Sequence, residues 1–434
     1  MNDHTMTRKD FLSSLAIGGT GLALFPWLAS CTPEARKQTA GQKARLGIIG
    51  TGSRGRFHLA NLLVDPAAEV VALCDDYEPH LDEAAAMCPG AKRYADYRKL
   101  LEDKEVEGVL ICTPLSFHAR MTVDALSAGK HVFCEKAMAH SPEELRSMLD
   151  AWKAGNRVLM VGQQRLYDPK YVRAMELVHG GAIGQVVGIR NYWYRNNDWR
   201  REVPSPELER RINWRLYDAY SRGLMTELAC HQLQNGSWAM GGIQPSFVTG
   251  TGSIQFWKDG REVFDSVAAI YQYPNGVHMT FESIISNKHY GMGEQILGSE
   301  GTIDLVRGIM YSEAAVRRSG IRQLLDQIEQ GVLSNSAFAG TSWATEEESH
   351  DKGIRFVDNV TVNDGASSVG ASGDGSVELM HAFCQAVITG VQPDRIVEEA
   401  AWSTLLALLG DRATREGRRI DIPASLSDLP SYCI

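Results

Sequence analysis

The sequence contains no run of basic residues and no long, uninterrupted apolar run. Its 434 residues include 44 Lys and Arg against 53 Asp and Glu, a formal net charge of −9. Nucleic-acid-binding proteins cluster positive charge to neutralise phosphates, so this balance argues against a nucleic-acid partner. The eight cysteines lack the paired spacing that holds metals, and we expect no metal site. Cys74, Cys112 and Cys134 lie near the ends of apolar runs and are expected to be buried thiols.

Residues 1–30 are expected to be an export signal rather than part of the fold. Arg8 and Lys9 precede a weakly apolar, glycine-rich stretch from Leu15 to Leu28. This arrangement resembles a twin-arginine signal in which Lys replaces the second Arg. The alternative is a retained membrane anchor, but glycines and Pro26 interrupt the stretch, and it is short for a bilayer span.

The end of this segment, Leu28-Ala29-Ser30-Cys31, resembles a bacterial lipobox in which Cys31 becomes the lipidated first residue. Residues 31–43 are mostly polar and fit a tether between the lipid and the folded part. We therefore predict a periplasmic protein that reaches the membrane only through a lipid anchor after twin-arginine export.

A dinucleotide-binding fingerprint follows directly. The apolar run Leu46–Ile49 leads into Gly50-x-Gly52-x-x-Gly55, and Asp75 follows twenty residues after the last glycine, at the end of a second apolar run. Gly50 allows the turn, Gly52 lets the backbone approach a pyrophosphate at a helix N-terminus, and Gly55 allows close helix–strand packing. Asp75 can accept hydrogen bonds from the adenosine ribose. The alternative is a glycine-rich turn without function.

The residues around the fingerprint favour NAD over NADP. A 2′-phosphate would meet the carboxylates of Asp75 and Asp76, with no Arg immediately after them. Ser53 and Arg54 complete the nucleotide loop, and Arg54 leaves NADP open as the less favoured cofactor.

Two domains are predicted after the tether. Residues 44–161 alternate between short apolar runs and helical patterns, which predicts a Rossmann-type, doubly wound parallel sheet. Ligands of such sheets lie beyond the carboxyl ends of the strands, where this sequence places Asp75, Thr113-Pro114 and Glu135-Lys136.

Strand patterns dominate after residue 162. They predict that residues 162–434 form an α+β domain with an open, mostly antiparallel sheet. We expect this domain to serve substrate binding and oligomerisation. Residues 306–375 read as an irregular insertion, and two closing helices are expected to pack back on the first domain. We expect a homo-oligomer.

Several motifs together resemble the glucose-fructose oxidoreductase, inositol dehydrogenase and rhizopine-catabolism (Gfo/Idh/MocA) family. They are the glycine loop, Cys112-Thr113-Pro114-x-x-x-His118, Gly129-Lys130-His131-Val132-x-Cys134-Glu135-Lys136 and Gly298-Ser299-Glu300-Gly301-Thr302. The resemblance implies a nicotinamide-dependent enzyme that acts on a sugar, a cyclitol or a derivative, with the nucleotide held tightly in exported members.

The resemblance has consequences for single residues. It places Thr113, Pro114, His118 and Glu135 near the cofactor, with Glu135 packing or binding the nicotinamide ribose and His118 not catalytic. The chain departs from the usual Glu-Lys-Pro because Ala137 replaces the proline. It also has Glu227, rather than Asp, four residues before the His that matches the family's catalytic one, which puts the substrate of typical members in doubt.

Oxidation of a secondary alcohol needs a base for the hydroxyl proton, and His231 is the candidate. Glu227 lies four residues earlier on a predicted helix, so its carboxylate should share a face with the imidazole and orient it. Lys136, at a strand end, can donate to the reacting oxygen and stabilise an alkoxide. The alternatives are a structural histidine and a surface lysine.

An aromatic segment precedes this helix. Residues 192–220 hold seven aromatic residues in 29 positions, against 8% aromatic residues overall, and arginines are interleaved among them. Aromatic faces stack on sugar C–H faces, and arginines bind hydroxyls or a carboxylate. The alternative is core packing plus an oligomer surface. The candidate substrate-binding residues are Trp193, Tyr194, Trp199, Arg215, Tyr217 and Tyr220.

Three functions remain open from the sequence. The first is an exported, NAD-dependent sugar oxidoreductase. The second resembles the glycoside hydrolase family 109 branch, which cleaves glycosides by oxidation, elimination, hydration and re-reduction with a bound NAD. The third is a non-catalytic sugar or nucleotide sensor, which the presence of both Lys136 and His231 disfavours.

Overall fold

The computed structural model describes residues 41–313, 353–356 and 373–432. The export signal, the lipidation site Cys31 and nearly all of the tether lie outside the described residues, as does most of the segment 306–375. In the described residues, no helix combines the length and the apolar character needed to cross a bilayer.

The first part is a six-stranded parallel sheet in the order β3-β2-β1-β4-β5-β6. This is the predicted doubly wound fold, and it places the ends of β1, β2, β4 and β5 side by side. The short strand β3 was not evident from the sequence because Lys92 and Arg93 are exposed and form no apolar run. The strands are β1 Ala44–Ile49, β2 Ala68–Cys74, β3 Lys92–Tyr94, β4 Gly108–Ile111, β5 His131–Cys134 and β6 Leu159–Val161.

Five helices connect these strands. The helix that follows β5 is capped by Ser141, whose hydroxyl accepts a hydrogen bond from the Glu144 N–H. Pro142 lies in the first turn of this helix. The helix after β1 begins at Gly52 without a side-chain cap and without an acidic residue in its first turn, so its N–H groups can meet an anion. The helices are α1 Ser53–Val64, α2 Glu78–Met87, α3 Tyr97–Glu102, α4 Leu115–Ser127 and α5 Pro142–Ala154.

The second part is a nine-stranded sheet in the order β14-β13-β12-β11-β7-β10-β9-β8-β15. All neighbours are antiparallel except β7 and β10, which confirms the predicted open, mostly antiparallel sheet. The strands are β7 Val186–Tyr194, β8 Phe247–Ser253, β9 Ser266–Gln272, β10 His278–Ile284, β11 Met292–Gly298, β12 Gly301–Asp304, β13 Ile309–Ser312, β14 Ile354–Arg355 and β15 Ile420–Asp421.

The segment 306–375 differs from the irregular insertion expected from the sequence. Its described residues include β13 and β14, which extend the edge of the sheet beyond β12. Both strands are short, with four and two residues, and only Met310 is buried, so they lack a readable apolar alternation.

The helices of the second part include one irregular element. Met225–Ala229 forms a π-helical turn that runs directly into the following α-helix, where the sequence predicted one continuous helix. A π-turn has the same composition as an α-turn, and such turns recur at functional sites. The α-helices are α6 Pro169–His179, α7 Glu209–Ile212, α8 Cys230–Ala239, α9 Ser376–Thr389 and α10 Ile396–Glu416.

The last two helices contact the first part directly. The His381 ring on α9 hydrogen-bonds the Asp65 carboxylate at 3.0 Å, just after α1. The Thr404 hydroxyl on α10 accepts from the Met138 N–H at 3.0 Å, just after β5. These bonds join the two parts next to the strand ends that carry the candidate site.

Candidate active site

Each glycine of the nucleotide loop meets the requirement that the fingerprint places on its position. Gly50 has φ +88°, and a Cβ there would lie 2.8 Å from the Cys112 backbone. A Cβ at Gly55 would lie 2.0 Å from the Gly50 carbonyl oxygen. Gly52 has only His80 within 4 Å of its Cβ position, at 3.7 Å, so the chain itself leaves this side open. The open side at an uncapped helix N-terminus fits a pyrophosphate.

Asp75 stands at the end of β2 beside this loop. Its carboxylate accepts the backbone N–H groups of Thr51 at 2.8 Å and Tyr77 at 2.9 Å. Burial alone would raise the pKa of Asp75, but hydrogen bonds from His80, Tyr77 and Thr51 lower it. The carboxylate is therefore ionised at neutral pH and can accept hydrogen bonds from ribose hydroxyls.

Two of the predicted cofactor residues, Arg54 and Glu135, bind each other. Arg54 Nε donates to Glu135 Oε1 at 2.7 Å, and His58 Nε2 lies 2.7 Å from the same oxygen. Burial would raise the pKa of Glu135, but the charge of Arg54 and the bond with His58 hold it well below its usual range. His58 was not singled out from the sequence, although it lies one turn after Arg54 on α1 and thus on the same helix face.

His118 bridges the ends of β4 and β5. Its two ring nitrogens face the carbonyl oxygens of Ala137 and Thr113, at 2.8 and 2.9 Å. Burial would lower the pKa of His118, but Cys134 and the two carbonyl acceptors raise it to about 9. A ring held charged between two carbonyls supports the loops and is not available as a base. Pro114 precedes α4 as its cap residue.

Lys136 and Glu227 meet across the seam between the two parts. The Lys136 ammonium donates to the backbone carbonyl of Glu227 at 2.8 Å. The Glu227 carboxylate accepts from Arg215 Nε at 2.9 Å and from the Ser221 hydroxyl at 3.1 Å. Burial would raise the pKa of Glu227, but Arg215 and Lys136 lower it.

The expected carboxylate–imidazole pair of Glu227 and His231 is not formed. Both residues are described, and no hydrogen bond joins them, because Arg215 and Ser221 take up the carboxylate. Glu227 belongs to the π-helical turn, whereas His231 belongs to α8. The helix was predicted with α-helical spacing throughout, and neither the π-turn nor the Arg215 partner could be read from that spacing. Glu227 thus contacts Arg215 through its carboxylate and Lys136 through its backbone carbonyl.

His231 is buried and electrically neutral. The residue is 6% exposed, and its buried Nδ1 atom has no hydrogen-bond partner in the described part of the chain. Burial disfavours the imidazolium, and the charges of Lys136 and Arg165 add to this, so the pKa of His231 lies well below its ordinary value. A neutral imidazole has one ring nitrogen that can accept a proton.

A buried ion pair that the sequence analysis missed lies near His231. Arg165 Nη1 and Glu294 Oε1 are 2.6 Å apart, and Asn235 Nδ2 donates to the other Glu294 oxygen at 2.6 Å. The Arg165 guanidinium also lies 5.9 Å from the centre of the Trp193 ring. A signal was present, because Glu294 occupies an inward position of β11, two residues before the buried Ile296.

The structure divides the predicted substrate residues into two groups. Trp193 and Arg215 lie at the site: the Trp193 and His231 ring centroids are 6.4 Å apart, and Arg215 binds Glu227. Trp199 is part-buried against the core with φ +61°, and the ring of Tyr220 packs on Phe117 of α4.

Tyr194 and Tyr217 have other partners. The Tyr217 hydroxyl donates to Glu209 at 2.7 Å, and its pKa is raised first by burial. Tyr194 points to the face of β7 opposite Trp193, where its hydroxyl donates to Glu282 and its ring contacts Tyr290. The homo-oligomer stays a prediction.

Comparisons with known proteins agree with this geometry. A model described as "Oxidoreductase family, NAD-binding Rossmann fold" matches residues 44–163, and one described as "GFO/IDH/MocA C-terminal domain" matches residues 171–304. An inositol 2-dehydrogenase of Rubrobacter xylanophilus is 28% identical over 297 residues, 68% of this chain and 78% of that protein. A levoglucosan dehydrogenase of Pseudarthrobacter phenanthrenivorans is 30% identical over 209 residues, 46% of this chain and 52% of that protein.

Solved structures show the same fold. A levoglucosan dehydrogenase in complex with NADH superposes with a TM-score of 0.67 at 20% identity, covering 88% of this chain and 100% of that one. GenD2 from gentamicin A biosynthesis, in complex with NAD, gives a TM-score of 0.65 at 19% identity over 88% of this chain and 97% of its own.

The predicted fold class, the NAD cofactor and the oxidoreductase activity are therefore confirmed, each by matches that cover both parts of the molecule. The chain belongs to the Gfo/Idh/MocA family and is an NAD-dependent oxidoreductase.

Proposed function

We propose that the protein oxidises a secondary hydroxyl of a sugar or cyclitol. The observation that carries this proposal is the grouping of Lys136, fixed on the Glu227 carbonyl, with the neutral, buried imidazole of His231. The relatives named above act, by their names, on inositol and levoglucosan, both of which are polyhydroxy ring compounds.

Each protein group has one task in this reaction. NAD, when bound, supplies the hydride acceptor. His231 accepts the hydroxyl proton, and its low pKa keeps the base unprotonated at neutral pH. The Lys136 ammonium donates to the oxygen and stabilises its negative charge while the carbon–oxygen double bond forms. Arg215 and Glu227 hold the turn that fixes Lys136.

The proposal extends to localisation and turnover. The protein is exported by the twin-arginine route and anchored through Cys31. An exported enzyme benefits from a nucleotide recycled in place, which suits a redox-neutral glycosidase as the second candidate function. Two contacts support retention of the nucleotide: Arg201 Nη2 donates to Ser53 Oγ at 3.1 Å, and Arg211 Nη2 to Asp76 at 2.6 Å.

Incubation with a panel of sugars, cyclitols and glycosides tests both candidates. Formation of NADH and release of free sugar are followed together. Net NADH without sugar release supports the oxidoreductase, whereas sugar release from glycosides without net NADH supports the glycosidase.

Variants connect the activity to the site. His231→Ala and Lys136→Met should each lower turnover by on the order of 10²-fold, because each removes a group acting on the same hydroxyl. Bound NAD, released by denaturation and identified by mass, should be unchanged. His278→Ala and Lys288→Met, at exposed positions of the second part, serve as matched controls. Near-normal turnover of His231→Ala would make His231 structural.

A further inference from the structure

Three arginines of the second part lie close enough for their charges to interact and form an arginine row, Arg195, Arg215 and Arg201. Arg215 is the common neighbour of the other two. Burial is the main cause that lowers the pKa of Arg195 and of Arg201, and the charge of Arg215 is the second cause for both. Its own guanidinium lies 4.3 Å from the centre of the Trp214 ring. Arg215 and Lys136 both bind Glu227, Arg215 through the carboxylate and the Lys136 ammonium through the backbone carbonyl.

The three arginines of the row differ in whether a nearby carboxylate offsets their charge. Glu227 binds Arg215. Arg201 donates to Ser53 of the nucleotide loop, so its charge lies beside the expected position of the pyrophosphate. In the described part of the chain, the Arg195 guanidinium has neither an ion pair nor a hydrogen bond, although the residue is half-buried. It lies 4.8 Å from the centre of the Trp193 ring.

Arg195, whose charge has no ion pair in the described part of the chain, is the member of the arginine row that lies towards His231, the proposed base. The Trp193 ring contacts the Arg195 guanidinium on its face, and it also lies beside the His231 ring. Guanidinium groups are donors only, and a pair of them matches the two oxygens of a carboxylate. A neutral sugar hydroxyl can accept a hydrogen bond from Arg195 but cannot offset the repulsion between Arg195 and Arg215.

We infer that the substrate is an acidic sugar or cyclitol, whose carboxylate is bound by Arg195, with Arg215 beside it, next to His231. This inference rests on the proposed function and names its substrate class. Arg195 is a specificity-determining residue: the carboxylate that it binds fixes which ring hydroxyl lies at His231 and Lys136.

The test compares acids with their neutral parents. D-glucuronate is paired with D-glucose, D-galacturonate with D-galactose, and the methyl glycosides of each are paired in the same way. We expect kcat/KM to favour the acid of at least one pair by about tenfold or more, through a lower KM. Arg195→Gln should reduce the ratio of acid to neutral toward one. Arg190→Gln is the matched control, because Arg190 is exposed on the same strand and also lies on an aromatic ring, Tyr192.

Binding is measured beside turnover, so that a non-reacting acid is also informative. Quenching of tryptophan fluorescence on NAD-loaded protein gives the dissociation constant of each acid and each neutral parent. Equal or better binding of the neutral parents, an unchanged ratio in Arg195→Gln, or no binding of any acid overturns the inference. Oxidation of neutral sugars with reduction of NAD would still uphold the proposed function, whereas protein without bound or bindable NAD would refute that function.

Discussion

At the scale of single residues, two buried histidines near the nucleotide loop have opposite protonation states for a visible reason. His118 faces a carbonyl oxygen with each ring nitrogen, and its pKa is raised to about 9. His231 has an unpartnered Nδ1 and cationic neighbours, and its pKa is lowered. The sequence identifies both positions, but only the contacts distinguish the supporting ring from the base.

The state of His231 predicts the pH dependence of the reaction. The neutral ring is the active form, and burial, Lys136 and Arg165 all disfavour its protonated form. The acid limb of the kcat/KM profile should therefore have its midpoint below 6.5, the ordinary value for histidine. In Lys136→Gln the residual activity should show this limb at higher pH, because one positive charge is removed. A wild-type limb at or above 6.5 would exclude His231 as the base in this state.

Residue-level prediction from the sequence succeeded where a motif carried the chemistry. Gly50, Gly55 and Asp75 each occupy the environment that the fingerprint requires. It failed for Glu227, since the choice between His231 and Arg215 as partner depends on side chains brought together only by the fold.

At the scale of elements, the segment between β7 and the π-helical turn connects the second part to the nucleotide loop. Arg201 reaches Ser53 at the start of α1. Arg211 on α7 binds Asp76, and its guanidinium lies 5.3 Å from the centre of the Tyr77 ring, just after β2. Both contacts join this segment to the end of the first part that carries the glycine loop and Asp75, and we expect them to slow the release of a bound nucleotide.

Removal of the two contacts should therefore speed the loss of NAD. In the double variant Arg201→Gln, Arg211→Gln, we expect dissociation roughly tenfold faster, since an exposed ion pair contributes at most about 1 kcal/mol and a single hydrogen bond about 1 kcal/mol. NAD remaining after repeated buffer exchange gives the measurement. Arg210→Gln is the control, because Arg210 lies on the same helix but binds Glu262 of the second part. Equal retention in the double variant and the control would show that the segment does not hold the nucleotide.

Whether a strand was predicted from the sequence depended on the length of its apolar run. The run Leu46–Ile49 predicts β1 to within two residues, and β1, β2, β4 and β5 are all recognisable as apolar runs because they are buried on both faces. The strands β3, β13 and β14 were missed, because they have four residues or fewer and together bury only Met310. The π-helical turn was missed because composition does not distinguish it from an α-turn.

At the scale of the whole molecule, the site exists only where the two parts meet. The nucleotide loop and Lys136 belong to the first part, whereas His231, Glu227 and the arginine row belong to the second. The closing helices fasten the parts through His381 and Thr404, close to the strand ends. The sequence predicted the two domains, but the contact between Lys136 and the Glu227 carbonyl crosses this seam and could not be derived from either domain alone.

The proposed location of the whole molecule depends on its N-terminal segment, and Cys31 provides the test. Lipidation requires the Cys31 thiol, so Cys31→Ser removes the acyl anchor, and the protein should move from the membrane fraction to the soluble periplasmic fraction. Cys88→Ser, a half-buried thiol of the folded part, is the matched control and should stay with the membrane. If Cys31→Ser also stays with the membrane, the apolar stretch from Leu15 to Leu28 is retained as the anchor, and the lipobox interpretation is wrong. Because anchoring does not involve the folded site, both variants should oxidise substrate at the wild-type rate.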